Sequence, residues 1–172
     1  LKFLPLANHE VKQELQRRGV EPEKARLLAF FNSDEMEDVA AMDWHELEEK
    51  RQAMLSILDC LIRQSQVEDI LLDLYDRSRS RESFIAYFRE MVNLISVLLR
   101  DIMVLMVDPA SGTLINSDYK EKLMELAALT NIDKVFFQIR KMEFLLRDIQ
   151  RNLNARVLIL EFINSYTPEG AR

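Results

Sequence analysis

Residues able to do chemistry are few in this chain. His9 and His45 are its only histidines and Cys60 its only cysteine among 172 residues. A di-iron helical bundle needs Glu-x-x-His pairs, which put both ligands on one helix face; neither histidine has a glutamate three positions before it. His45-Glu46 also lacks the second histidine of a zinc-protease helix. Both histidines are therefore expected at surface or capping positions. Cys60 cannot form an internal disulfide or hold zinc alone, and beside Ile57 and Leu61 it is expected as a buried structural thiol. No G-x-x-x-x-G-K-[ST] or G-x-G-x-x-G loop is present to cradle a phosphate. No catalytic, cofactor or metal residue is assigned.

Three other features could serve partners. Arg77, Arg79 and Arg81 form a basic cluster, read first as a solvated helix junction. The acidic series Asp34, Glu35, Glu37, Asp38, Asp43, Glu46, Glu48 and Glu49 could meet a basic partner, though such series more often favour helix N-termini and solubility. Eight methionines could form an adaptable groove, but their spacing places most in a core.

Composition frames these residues. Hydrophobic side chains make up 48% of the chain, enough for a real core. With only 3 glycines and 4 prolines, punctuation is scarce and the chain reads as mainly α. The net charge of −6 argues against a free-standing nucleic-acid binder, which needs a surplus of cations to neutralise phosphates; any DNA contact would be local or shared. The most apolar run, 102–107, is far short of the roughly 20 residues of a membrane span. A soluble protein of the reducing cytoplasm is expected.

The elements that must position these residues are helices. The opening Leu1-Lys2-Phe3-Leu4-Pro5-Leu6 reads as the end of a strand or linker belonging to something upstream. Asn8 can cap a helix that stops at Gly19, and Pro22 suits the first turn of the next, through Ala25, Leu28, Ala29 and Phe31. Ser33 caps a short acidic helix, and Asp43 with Glu46 resembles a capping box before a helix burying Leu47, Met54, Leu58 and Leu61. Gln64-Ser65-Gln66 is the candidate boundary between a small bundle, 1–64, and a larger antiparallel one, 65–172.

Beyond it a helix is expected over 67–76, then a long one to Val107, capped by Ser78 or Ser80. The long helix repeats Phe84, Phe88, Met91, Ile95, Leu98, Ile102 and Leu105 at steps of three and four. Ser117 is read as the cap of a helix from Asp118, and Thr130 or Asn131 as the start of the next. Segment 133–166 is expected to be the organising hairpin. Its first helix carries Val135, Ile139, Met142, Leu146 and Ile149 on one face; its second, Val157 to Ile163, is apolar nearly all round and expected inside the bundle. Asn152 and Asn154, in the polar break, are expected to cap helix ends. Exposed Arg140, Lys141, Arg147 and Arg156 are candidate interface residues.

Three separated motifs carry a resemblance. Leu1 to Leu6 followed by a capped helix, Gly19 and Ala25-Arg26-Leu27-Leu28-Ala29 resembles the lid that follows the ATPase core in bacterial DNA polymerase III clamp-loader subunits. Leu98-Leu99-Arg100-Asp101-Ile102 is similar to the "leucine, arginine, aspartate, apolar" helix of the family's collar domain. Asn152-Leu153-Asn154-Ala155-Arg156-Val157-Leu158-Ile159-Leu160-Glu161 looks like the collar's end. Where the ATPase subunits, gamma/tau, carry Gly-Ser-x-Arg-Asp-Ala with a nucleotide-sensing arginine, Asn32-Ser33-Asp34-Glu35-Met36-Glu37-Asp38 offers only negative charge.

That departure resembles the delta-prime class, which does not hydrolyse ATP, although the usual Gly-Ser of that class is missing as well. The resemblance implies a lid over 1–64, with 1–6 closing a first domain upstream, and a collar over 65–172. The arginine-finger Ser-Arg-Cys motif would precede Leu1. It further implies no catalysis in this segment of a DNA-directed DNA polymerase holoenzyme and no cofactor. Partners would be the gamma/tau and delta subunits, with the sliding clamp and primed DNA met only through the complex. The alternative is a free-standing helical adaptor that binds a partner helix.

Overall fold

The computed structural model describes residues 8–31, 44–63, 65, 69, 80–150, 154–164 and 166. Those residues form seven α-helices and one 3-10 turn, with no strand among them. The expected all-α fold is the observed one. The stretch 1–6, the helix capped by Ser33, the Asp43 cap, Gln64 and Gln66, the 67–76 helix, Arg77 and Arg79, and Asn152 lie outside the described residues, as does the side chain of Asn8.

Helix α1, Asn8–Arg17, buries Val11 and Leu15. Its end is closed by Gly19 at φ 89°, where the Gly19 N–H donates to the Gln16 carbonyl and the Val20 N–H to that of Leu15, both at 3.0 Å. This double closure needs a left-handed residue, the reason for glycine at that position. Helix α2, Pro22–Phe31, starts on the expected proline, packs on α1 and buries Ala25, Leu27, Leu28 and Ala29. Helix α3, Trp44–Ile62, buries Leu47, Met54, Leu58 and Leu61 as expected, but Arg51 shares that face and is only 3% exposed. Cys60 is half-buried rather than enclosed.

Helix α4, Arg81–Val107, begins in a capping box: the Ser83 N–H donates to Ser80 Oγ and the Ser80 N–H to Ser83 Oγ, each at 3.1 Å. All seven residues of its expected stripe are buried, and so are Val92, Leu94, Val97 and Leu99 on its flanks. A helix covered on so many sides must be central. It packs against α3 and three later helices, α5 (Lys120–Ala128), α6 (Ile132–Gln150) and α7 (Ala155–Asn164), most extensively against α6. The organising element is therefore α4, not segment 133–166.

Three local expectations are corrected. Ser117 lies inside a 3-10 turn, Ser117–Tyr119, so it does not cap α5, which starts at Lys120. On α6 the buried line runs Val135, Gln138, Met142, Leu145 and Ile149, while Ile139 and Leu146 are only partly covered, so the contact face is turned by about one residue from the expected one. On α7, Leu158, Ile159 and Phe162 are buried but Val157 and Leu160 are exposed, so this helix is not enclosed.

Caps follow local chemistry. Asn131 Oδ1 accepts the Lys134 N–H, and Asn154 Oδ1 accepts the Arg156 N–H, each at 2.9 Å. Asn154→Ala is expected to cost about 1 kcal/mol; an unchanged urea midpoint would show that the cap contributes nothing. Aromatic contacts join α4 to α7: Phe84 stacks on Phe88 at 5.6 Å, Phe88 meets Phe162 edge-on at 5.8 Å, and Phe162 lies 5.7 Å from Tyr166.

Candidate interaction surface

A buried polar junction fixes the loop between α4 and α5. Asp101, 0% exposed, accepts the Ile115 N–H at 3.1 Å, the Asn116 N–H at 2.7 Å, Asn116 Nδ2 at 2.9 Å and Arg100 Nη1 at 2.6 Å. Arg100 Nη1 also donates to the Thr113 carbonyl at 3.0 Å. The other end of the Asn116 amide, Oδ1, accepts Arg51 Nε at 3.3 Å and Nη2 at 3.1 Å. Asn116 is thus oriented between a buried anion and a buried cation, the amide polarity matching both. Arg51 further donates to both oxygens of Asp118 at 2.8 Å and to Glu48, while its guanidinium lies 4.6 Å from the Tyr119 ring centre. From α2, Arg26 Nη1 donates to the Leu114 carbonyl at 2.6 Å. Helices α2, α3 and α4 therefore hold one loop.

Each donor and acceptor named in this junction has its match, which is what makes burial of two charges tolerable. Its groups are engaged with one another, so its chemistry is structural. Arg26, Arg100 and Asp101 stand in the motifs that carry the resemblance; Arg51 and Asn116 were not singled out by sequence. The signal for Arg51 was a charged residue four positions after Leu47, on an otherwise apolar stripe. Asn116 gave no signal beyond a loop position.

Burial, then the hydrogen bond to Glu48, which accepts the hydroxyl at 2.6 Å, raises Tyr119 above the ordinary tyrosine value. Burial alone raises Tyr166, whose hydroxyl has no hydrogen-bond partner among the described residues. The folded chain holds both protons more tightly than the unfolded chain, so this stability is complete below the ordinary tyrosine value of about 10 and is lost as pH rises past it. Thermal melts should fall above that pH. Tyr166→Phe should flatten the fall and, by removing an unsatisfied buried hydroxyl, raise stability by about 1 kcal/mol; a loss of stability instead would reveal a partner for the hydroxyl.

Among the described residues no cluster of His, Cys, Asp and Glu is arranged to hold a metal, and no helix is long and apolar enough to cross a membrane. His9 and His45 are exposed, His45 lying 3.6 Å from Glu49 along its own helix.

What remains is the outer side of α5 to α7. Phe136, Phe137 and Phe144 on α6 are 54%, 46% and 48% exposed, and Met124, Leu129, Ile132, Val157 and Leu160 are also exposed. Apart from Val107, the large exposed apolar residues of the described chain all fall within 124–160. On α6 they alternate with cations turn by turn: Phe136 and Phe137, then Arg140 and Lys141, then Phe144, then Arg147. Lys141 Nζ lies 5.3 Å from the Phe137 ring centre and Arg147 Cζ 5.1 Å from that of Phe144. Of the four expected interface residues, Arg140, Lys141 and Arg147 share this face, whereas Arg156 lies in the first turn of α7.

The exposed rings of α6 represent about 300 Å² of apolar surface, whose burial would supply about 7 kcal/mol before association costs. Those costs are about 4–15 kcal/mol, so a stable contact needs neighbouring apolar residues as well. The three rings fall outside the single apolar stripe that periodicity assigns to α6; their signal was a second face on which aromatics seven and eight residues apart are separated by cations. Comparisons of the chain with protein-family models, with curated proteins and with solved structures give no match. Geometry and motif resemblance are what support a functional reading.

Proposed function

We propose that this chain is a non-catalytic assembly module of a cytoplasmic clamp loader of the bacterial DNA polymerase III kind, delta-prime-like, with 1–64 as lid and 65–172 as collar. It would join gamma/tau and delta subunits in a ring that opens the sliding clamp and loads it on primed DNA during replication. The observation that carries the reading is the aromatic and basic outer face of α6, where three half-exposed phenylalanines alternate with three cations and lie near the exposed Met124, Leu129, Ile132, Val157 and Leu160. Support also comes from Arg100 and Asp101, landmarks of the resemblance, which here lock the loop next to α5. The mechanism is mechanical: a rigid bundle positions an upstream domain within the ring.

The test is coelution of the chain with gamma/tau and delta subunits on a sizing column. A shared peak supports the reading. Separate peaks at every mixing ratio would remove it and leave the free-standing adaptor, which uses the same face for a different partner helix.

A further inference from the structure

We infer that the surface docking on α6 is an acidic amphipathic helix, one whose carboxylates alternate with apolar residues turn by turn; this deepens the assembly reading and rests on it. The chain holds 29 carboxylate side chains against 23 Lys and Arg, and cations elsewhere use that excess: Lys50 pairs with Glu46 and Glu90, Arg51 with Glu48 and Asp118, Lys122 with Asp59 and Glu125. Among the described residues no carboxylate pairs with Arg140, Lys141 or Arg147. These three cations stand on a face that also leaves three phenylalanines half-exposed.

Covering the rings would desolvate the cations between them, and that is tolerated only if the covering surface brings carboxylates to the same positions. One helical turn separates each aromatic step from the next cationic step, so the complementary spacing is that of another helix. A second copy of this face would set Arg140, Lys141 and Arg147 against like charge, with only Asp133 and Glu143 to offset three cations. A nucleic acid would bring its phosphates to a chain of net charge −6, with Asp133 and Glu143 exposed beside the cations.

The full 172-residue chain can be titrated into labelled helical peptides with leucine on one face and glutamate, glutamine or lysine at the flanking positions, followed by fluorescence anisotropy. The glutamate peptide is expected to bind about tenfold more tightly than the lysine peptide, with the advantage shrinking in high salt. R140E/K141E/R147E, checked by its melting midpoint, should reverse the preference, and single Arg140→Glu should reduce it. Equal binding of the two peptides, absence of binding, or an unchanged preference in the reversed chain would overturn the inference. Oligothymidylate binding as tight as the glutamate peptide would also overturn it, in favour of nucleic acid. The two readings separate on the sizing column. Coelution with loader subunits that survives the triple reversal retains assembly and removes the acidic helix; a wild-type chain that binds the glutamate peptide but never coelutes does the opposite.

Discussion

Replacing Asp101 with alanine is expected to destabilise the chain by about 3–5 kcal/mol, the cost of removing one partner from a buried ionic network. Asp101 accepts two backbone N–H groups, from Ile115 and Asn116, as well as Asn116 Nδ2 and Arg100 Nη1. Alanine would leave these donors facing a site from which water is excluded. The effect should spread to α3, because Asn116 also orients Arg51. Asp101→Asn keeps one oxygen acceptor but turns an amide N–H toward remaining donors, so a smaller loss is expected. Urea unfolding of the three proteins checks this, and an Asp101→Ala midpoint equal to wild type would show that the junction is incidental.

Phe88→Ala is the second large effect, expected at about 3–5 kcal/mol for a buried phenylalanine reduced to alanine. Phe88 is fully buried between Phe84 and Phe162, so its loss opens a cavity between α4 and α7. Phe144→Ala is the matched control. The chemistry is the same, but that ring is half-exposed, and a change within about 0.5 kcal/mol is expected. Equal losses at the two sites in thermal melts would mean that the outer face of α6 is already covered in solution.

Much of the fold was legible because apolar periodicity reports burial directly. Phe84 to Leu105 read correctly as one stripe, and Gly19, Pro22, Ser80 and Asn154 marked helix boundaries through backbone chemistry that depends on near neighbours. Periodicity could not show that α4 is covered on further sides, because Val92, Val97 and Leu99 carry no phase of their own until neighbours are placed. For the same reason α7 was expected inside the bundle, although Val157 and Leu160 face outward.

The polar junction was less legible. Arg51 is far in the chain from both Asn116 and Asp101, and polarity alone would have put Arg51 and Asn116 at the surface. Only the arrangement of α3 beside the α4–α5 loop lets Asn116 stand between Arg51 and Asp101. The candidate interface lay between these extremes. Arg140, Lys141 and Arg147 were legible as outward cations, but the rings between them were read through a helix given only one apolar face.

The most direct measurement of the central proposal is coelution with gamma/tau and delta subunits of the wild-type chain and of F136A/F137A/F144A, which keeps the buried line from Val135 to Ile149 intact. With unchanged melting of the triple variant as the folding check, the wild-type chain is expected in the shared peak and the variant in a separate one. A variant that assembles as fully as wild type would contradict the assignment of the α6 face to assembly.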